Sequence, residues 1–255
     1  MKKARSRAIG IVAALAALGL GAFFYAPHWR PSEDRWPVQG IDVSHHQGSI
    51  DWAALPSQGV DFAWIKASEG GDHRDRMFER NWAGARAAGI RRGAYHFFTL
   101  CRSGADQAAN FTGLVPREAD ALPPAIDLEF LGNCAARPPR DALLRELGTF
   151  VAAVEAHSGK RAILYLTREF DDHYRISEGV DRPLWLRSIV FEPRFGARPW
   201  TVWQASAFRR LDGIAGGVDW NVMRERGFLY PPPLPRRLRA AHQMTPCPPR
   251  PLPRK

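Results

Sequence analysis

The sequence lacks the features that mark several classes of protein. It has three cysteines in 255 residues, so it can form at most one internal disulfide, and it contains no internal repeat. Its histidines do not have the spacing of a metal site: the side chains of neighbouring His45 and His46 diverge, and His96 stands alone. The glycine-rich stretch 68–75 is not followed by the lysine pattern of a phosphate-binding loop. We therefore expect structural histidines, no metal and no cofactor.

Acidic residues are absent from both ends of the chain. Residues 1–30 contain five basic residues and residues 231–255 contain six, with no acid in either stretch. The whole chain has 36 basic and 26 acidic residues, so the part between the ends has 25 basic residues against 26 acidic ones. The net charge of +10 therefore belongs to the ends. A folded domain with so little net charge is not a nucleic-acid-binding platform.

The N-terminus has the pattern of a targeting segment. Four basic residues precede Ala8–Ala26, a run of 19 residues without charge that can span a bilayer as a helix. The positive charge before the run predicts that the rest of the chain is exported. A cleaved signal peptide is the alternative, but bulky Phe23 and Phe24 follow the small residues Gly19 and Gly21. We expect residues 1–30 to be a signal anchor that holds the protein on the inner membrane, facing the periplasm or cell exterior, or a signal peptide that releases it.

The remaining sequence divides into a linker, one domain and a tail. Residues 31–37 are a linker, and residues 38–230 contain the patterns of regular structure. Residues 231–255 contain nine prolines and no apolar period, which predicts a disordered basic tail in which Cys247 is unpaired. We expect the protein to be a monomer.

Strands alternate with helical patterns through residues 38–230. The strongest helix is 140–157, and other helices are predicted at 50–55, 77–88 and 105–114. Eight strands are predicted, at 38–44, 60–66, 92–98, 125–129, 161–166, 183–187, 200–204 and 217–219. Alternation of this kind indicates an α/β fold with a mostly parallel sheet. Eight strands with some helices missing predict an irregular (β/α)8-like, TIM-like barrel.

Two carboxylates lie two residues apart in the fourth predicted strand. Side chains alternate along a strand, so Asp127 and Glu129 point to the same side, with Cα atoms about 6.5–7 Å apart. Taken alone, the pair is either two strand-end acids held by hydrogen bonds or a catalytic pair. Asp42 near the end of the first strand and Asp219 in the last provide two further carboxylates, and these strands become neighbours when a barrel closes. In such barrels the active site lies at the C-terminal ends of the strands.

Four converging carboxylates without evident metal partners suit glycoside hydrolysis. One carboxyl, kept protonated by like-charged neighbours and apolar walls, acts as the acid, and the others stabilise positive charge on the sugar. Aromatic residues on the strands are candidates for stacking on sugars or for core packing; they are Tyr95, Tyr165, Trp185 and Trp203. Cys101 and Cys134 follow the third and fourth strands on the same rim, where a disulfide between them would hold the loops that flank Glu129.

A series of motifs adds a family resemblance. They are Gly40-Ile41-Asp42-Val43-Ser44, Gln47-Gly48, Ile50-Asp51-Trp52, Phe62 to Gly70, Gly93-Ala94-Tyr95-His96-Phe97, Asp127-Leu128-Glu129, Leu184-Trp185, Trp203-Gln204 and Val218-Asp219-Trp220-Asn221. Each motif is weak alone, but the ordered set is specific and spans residues 40–221. In these motifs the chain resembles the glycoside hydrolase family 25 lysozymes, the Chalaropsis-type muramidases.

The resemblance implies a flattened, irregular α/β barrel that hydrolyses the β-1,4 bond between N-acetylmuramic acid and N-acetylglucosamine in peptidoglycan. It implies that Glu129 is the general acid and that Asp127 assists it, with the substrate 2-acetamido group as an internal nucleophile or with direct attack by water. Asp42 and Asp219 would complete the acidic cleft. The residues that it places against the glycan strand are Tyr95, Phe97, Tyr165, Trp185, Trp203 and Gln204.

One part of the chain departs from the family pattern. After Leu184-Trp185 the family usually has a small residue and then an aromatic one, whereas this chain has Leu186-Arg187-Ser188. Arg187 can reach the cleft, so contacts with substrate on this strand are expected to differ.

Two other functions remain open for the same barrel. One is a peptidoglycan-binding protein that has lost turnover, although all four expected carboxylates are present. The other is a chitinase-like enzyme, which also uses Asp-x-Glu on the fourth strand but usually has a longer acidic run before it than Leu122–Ile126 provides.

Overall fold

Eight strands close into a barrel in the computed structural model, which describes residues 19–21 and 24–224. The strands are β1 (Gln39–Val43), β2 (Phe62–Glu69), β3 (His73–Arg74), β4 (Arg91–Phe97), β5 (Ala125–Leu128), β6 (Ile163–Leu166), β7 (Leu184–Arg187), β8 (Val202–Arg209) and β9 (Val218–Met223). Their order is β1-β9-β8-β7-β6-β5-β4-β2-β3, and parallel pairing of β1 with β2 closes the circle. The two-residue strand β3 is an antiparallel extension of β2. The predicted irregular α/β barrel is confirmed.

The last strand runs against its neighbours. β9 pairs antiparallel with both β8 and β1, and Asp42 lies opposite Asp219 in the register. The other strand pairs of the barrel are parallel. Because β9 is reversed, its beginning lies on the rim where the other strands end. Asp219 therefore reaches the predicted rim from the start of a strand, and β9 extends four residues beyond the predicted 217–219.

The helices lie outside the barrel and connect its strands. They are α1 (Phe78–Ala87), α2 (Gly104–Thr112), α3 (Arg140–Ser158), α4 (Arg168–Tyr174) and α5 (Ile176–Gly179). Short 3-10 helices occupy Ala26–His28, His45–Gln47, Trp52–Ala54 and Pro56–Gln58. The strongest predicted helix is confirmed as α3, which buries an apolar stripe that includes Leu147 and Phe150 and ends at Gly159 with a φ of 69°.

Further details differ from the predicted elements, and the predicted helix 50–55 is only the 3-10 turn Trp52–Ala54. The predicted loop 68–75 is shorter, because β2 continues to Glu69 and then pairs with β3. β8 continues to Arg209, five residues past the predicted 200–204. Helices α4 and α5 were not predicted, because segments of seven and four residues are too short to show a helical period.

Large aromatic side chains fill the barrel beneath the rim. The rings of Phe62 and Trp64 lie 5.4 Å apart, and those of Trp64 and Trp185 lie 4.9 Å apart. Gly93 on β4 makes room for them, since a Cβ atom there would lie 2.5 Å from Nε1 of Trp64. Alternate side chains such as Ile126 and Leu128 point outwards into the core beneath the helices. The barrel interior is therefore packed with aromatic rings beneath the rim.

The targeting segment and the tail fall mainly outside the described residues. Of the predicted span Ala8–Ala26, residues 8–18, 22 and 23 are not described, nor are residues 231–255 with Cys247. Among the residues that are described, no helix is both long and apolar enough to cross a membrane.

Candidate active site

An acidic cleft of about 210 Å³ opens at the rim of the barrel. The residues that line it are Asp42, Tyr95, Asp127, Glu129, Leu131, Tyr165, Trp185, Arg187, Gln204 and Asp219. The structure thus brings together all four carboxylates named from the sequence. It also places Tyr95, Tyr165, Trp185 and Gln204 in the cleft, as predicted.

The central pair is positioned by β5 and by the loop that follows it. Asp127 is opposite Tyr165 of β6 in the register, and Glu129 comes directly after the last residue of the strand. The side-chain amide of Asn133 donates hydrogen bonds to the backbone oxygens of Phe98 and Glu129, at 2.9 and 3.0 Å. This amide ties the loop that carries Glu129 to the end of β4.

Asp42 is held by two amide side chains. Nδ2 of Asn221 and Nε2 of Gln204 donate to the same oxygen, Oδ2, at 2.7 and 3.0 Å. The Tyr165 hydroxyl donates to Oε1 of Gln204 at 3.0 Å, and Nε1 of Trp185 donates to Oδ1 of Asn221 at 2.8 Å. Because each amide oxygen is occupied by a donor, each amide nitrogen is turned towards Asp42.

Burial raises the pKa of every carboxyl in the cleft. It raises the pKa of Asp42 to about 6, although the bonds from Asn221 and Gln204 oppose the rise. It raises the pKa of Glu129 to about 7, against the opposing charge of Arg187 and with the added repulsion of Asp42. The pKa values of Asp127 and Asp219 are raised well above the ordinary range by burial, and then by Glu129 and by Asp42 respectively. Glu129 therefore keeps its proton to a higher pH than Asp42 does.

Three polar groups, one carboxyl oxygen and two phenol hydroxyls, face the same space. The buried Oδ1 of Asp127 has no hydrogen-bond partner within the described part of the chain. Burial, and then the neighbouring acids, raise the pKa of the Tyr95 and Tyr165 hydroxyls well above 10, so both phenols keep their protons. The cleft consequently offers an unpaired carboxyl oxygen and protonated phenols to a ligand.

Arg187 brings a positive charge into the cleft. Trp185 and Arg187 both face the barrel interior. Leu184, which precedes them, and Leu186, which lies between them, pack in the outer core. The guanidinium charge lowers the pKa of Asp42, Glu129 and Asp219.

The structure corrects two of the predicted substrate contacts. Trp203 is buried in the outer core, where its Nε1 donates to the backbone oxygen of Ser188 at 2.6 Å. Because Gln204 faces the cleft, the alternation of β8 turns Trp203 the other way. Phe97 is also buried and does not line the cleft; its ring lies 5.0 Å from Nζ of Lys66.

The cysteines and histidines are also located. The predicted disulfide is not formed: Cys101 and Cys134 are free thiols, and the Cys134 side chain raises the pKa of the Cys101 thiol. His96 is buried between Oγ of Ser68 at 2.8 Å and Oε1 of Gln107 at 3.1 Å. Burial lowers its pKa to about 3, which makes it a neutral structural residue.

His45 and His46 lie outside the cleft. Nδ1 of His45 pairs with Oδ2 of Asp75 at 2.8 Å, and the His46 ring stacks beside His45 with ring centroids 4.1 Å apart. The parts of the chain that the structure describes contain no group of three or more histidine, cysteine or acidic side chains arranged to hold a metal ion.

Sequence reasoning missed two members of the site. Leu131 lines the cleft while 79% exposed, and no local pattern marks it. Asn221 was seen only as part of a motif. The alternation of β9 could have identified it, since Asn221 lies two residues from Asp219 and faces the same side.

Comparison with known sequences gives a consistent result. Residues 41–214 match the family described as glycosyl hydrolases family 25. Lysozyme M1 of Streptomyces globisporus is 36% identical over 203 residues, which cover 72% of this chain and 67% of that protein. The N,O-diacetylmuramidase of Arthroderma benhamiae is 27% identical over 221 residues, covering 80% of this chain and 93% of that protein.

Solved structures share the same fold. A family 25 glycosyl hydrolase from Bacillus anthracis superposes with a TM-score of 0.72 and is 37% identical, covering 78% of this chain and 94% of that one. A bacterial lysozyme from Streptomyces coelicolor has a TM-score of 0.68 and 34% identity, covering 74% of this chain and 92% of that one.

Proposed function

The chain belongs to glycosyl hydrolase family 25, and we infer from this that it is a peptidoglycan muramidase, a lysozyme. Its reaction is hydrolysis of the β-1,4 bond that joins C1 of N-acetylmuramic acid to O4 of N-acetylglucosamine. Relatives named lysozyme and N,O-diacetylmuramidase support the reaction. The observation that carries the assignment is the convergence of four carboxyls in one cleft, with the pKa of Glu129 raised to about 7.

Glu129 supplies the proton in the mechanism that we propose. Its protonated carboxyl donates to O4 as the bond from C1 to O4 breaks, so the departing sugar leaves with a free hydroxyl. Positive charge then develops at C1 and the ring oxygen. Asp42, the carboxyl whose pKa is raised only to about 6, is ionised under these conditions and stabilises that charge. A water molecule finally adds to C1 and its proton returns to Glu129.

Asp127 acts on the group next to the reacting carbon. Its buried, unpaired Oδ1 is suited to accept the N–H of the 2-acetamido group. This contact would turn the acetamido oxygen towards C1 as an internal nucleophile, the substrate-assisted form of glycoside hydrolysis. Direct attack of water on C1 is the other route. NMR of the anomers released at early times distinguishes them, because internal attack retains the configuration at C1 and direct attack inverts it.

The side chains around the acids provide the sugar contacts. The Tyr95 hydroxyl remains protonated and is available as a polar partner for the hydroxyl and acetamido groups of the sugars, and the Tyr165 hydroxyl, which already donates to Gln204, can accept a hydrogen bond from them. Trp185 and exposed Leu131 add apolar surface to the cleft. Asp219, opposite Asp42 in the register, adds the fourth carboxyl and raises the pKa of Asp127.

We further propose that the protein acts as an exported monomer. Peptidoglycan lies outside the cytoplasmic membrane, and the uncharged run Ala8–Ala26 after four basic residues supports export, with anchoring on the membrane or release after cleavage. Membrane fractionation with mass spectrometry of the mature N-terminus tests this localisation. Light scattering during size-exclusion chromatography tests the monomer.

A gel assay on purified peptidoglycan tests the activity. The wild-type protein should clear peptidoglycan embedded in the gel, and Glu129→Gln should bind the same material without clearing it. Failure of the wild type to clear would support an inactive binding protein. Clearing by Glu129→Gln close to the wild-type level would refute the acid role.

A further inference from the structure

Arg187 has a position in the cleft that hydrolysis alone does not explain. It is the last residue of β7, and strand alternation directs its side chain to the same interior face as Trp185. The guanidinium is close enough to act on the charges of Asp42, Glu129 and Asp219. The fold therefore places the positive charge of Arg187 among the acids of the cleft.

The guanidinium keeps its donors free. Throughout residues 19–21 and 24–224, no hydrogen bond or ion pair to the Arg187 side chain is present. Two other partly or fully buried cations on this barrel are paired: Arg182 with Glu155 at 2.5 Å, and Lys66 with Glu69 at 2.6 Å. Arg187 is thus half-buried with five N–H donors available, a state that favours an anionic ligand.

The same charge opposes the chemistry of the cleft. It favours ionisation of Glu129, whereas a general acid must hold its proton. It also repels the positive charge that develops on the sugar in the transition state. Because the Arg187 guanidinium opposes both steps, we look for its role in binding the substrate, for which its free N–H donors are suited.

A muramic acid ring carries such an anion close to the reacting carbon. Its C3 oxygen bears a lactyl group that ends in a carboxyl, which is either free or joined to a stem peptide with its own carboxylates. C3 is next to C2, whose acetamido group Asp127 is proposed to hold. Each acid of the cleft that is ionised, Asp42 first, repels an approaching carboxylate, so a guanidinium beside the acids restores charge complementarity.

We propose that Arg187 binds a carboxylate on the 3-O-lactyl substituent of the muramic acid residue whose C1–O4 bond is cleaved. This contact makes the enzyme selective for anionic glycan. This rests on the muramidase function proposed above. The planar guanidinium matches a carboxylate with two parallel hydrogen bonds. The carboxylate belongs either to the lactyl group of a peptide-free strand or to the stem peptide.

Calorimetric titration of the inactive Glu129→Gln protein tests this proposal. The ligands are muramic-acid-containing tetrasaccharides, with and without stem peptides, each as the free acid and as the neutral methyl ester. Methyl esterification should weaken binding by about 10- to 100-fold, as expected for hydrogen bonds to a charged group. In the double variant Glu129→Gln/Arg187→Met it should change binding by less than about 3-fold. If Arg187 binds the lactyl carboxylate, esterification weakens binding of the peptide-free ligand. If it binds the stem peptide, esterification weakens binding of the peptide-bearing ligand only.

Two control variants sharpen the result. Arg187→Lys, in the same inactive background, keeps the positive charge but loses the two parallel N–H donors of the guanidinium. It should therefore retain part of the sensitivity to esterification. Exposed Arg145→Met on α3 removes a charge away from the cleft and should leave the full sensitivity. Because the described residues make no hydrogen bond or ion pair with the Arg187 side chain, Arg187→Met should fold as the parent protein does.

Two outcomes overturn the proposal. One is a parent protein that binds esters and free acids equally. The other is an Arg187→Met variant that weakens both ligand forms by the same factor, which would make Arg187 a general cleft residue. Wild-type clearing of peptidoglycan is measured in parallel: clearing without charge selectivity refutes only the role of Arg187, whereas no clearing refutes the muramidase function.

Discussion

Replacing Glu129 with glutamine should stabilise the folded protein at alkaline pH while abolishing hydrolysis. The pKa of Glu129 rises from the ordinary value of 4.5 to about 7 in the cleft, mainly through burial. The folded protein therefore holds more protons than the unfolded chain between these values. Its stability falls as the pH rises through that range and stays lower above about pH 7. Glutamine has no proton to lose, so the variant escapes this fall.

The size of the effect follows from the same pKa. A tenfold change in proton affinity corresponds to about 1.4 kcal/mol, so an ionised Glu129 costs the folded state up to about 3 kcal/mol at pH 8. Asp42 and the other acids share the protons of the cleft, which reduces this value towards half. For a domain of this size, 1 kcal/mol shifts the melting temperature by about 2–4 °C. We expect the difference in melting temperature between variant and wild type to increase by about 5 °C from pH 5 to pH 8.

Thermal unfolding followed by circular dichroism at both pH values provides the measurement. The difference between variant and wild type cancels the titration of the groups that do not interact with Glu129. Asp172→Asn, measured at the same two pH values, is the matched control, because Asp172 is an exposed acid on α4 that does not line the cleft. A stability difference for Glu129→Gln that is the same at pH 5 and pH 8 would show that Glu129 ionises normally, and the reasoning would fail.

Three further predictions address the neighbours of Glu129. As the pH increases, kcat/KM should rise through about pH 6 as Asp42 ionises and fall through about pH 7 as Glu129 loses its proton. A value of kcat/KM that still increases at alkaline pH would contradict these roles. Asn221→Ala removes a donor to Asp42, so the acid limb of the profile should move up by roughly 0.5–1 pH unit, and an unmoved limb would argue against the network. Trp203→Phe should lower the free energy of unfolding by about 1–2 kcal/mol with KM unchanged, whereas a raised KM would return Trp203 to the substrate site.

The sequence was most informative where a short-range pattern decides the structure. Side-chain alternation on β5 was enough to put Asp127 and Glu129 on one side, and the apolar stripe of α3 was enough to place that helix. The convergence of Asp42 and Asp219 followed from closing the barrel between its first and last strands. These parts depend on local periodicity and on one topological rule.

Other parts depend on interactions that no local pattern contains. The direction of β9 is set by its pairing with β8 and β1, which the sequence of the strand does not specify. Trp203 was assigned to the cleft although alternation permits only one of Trp203 and Gln204 to face it, and the choice depends on which side chain finds a partner inside. The free donors of Arg187 are visible only when every neighbouring element is in place.

The reducing ends of the released fragments test the central claim most directly. Purified peptidoglycan is digested with the wild-type protein, the products are reduced with borohydride, and mass spectrometry identifies the reduced sugar. The proposed reaction predicts reducing ends on N-acetylmuramic acid. Reducing ends on N-acetylglucosamine would contradict it, because the acids would then cleave the other glycosidic bond of the strand.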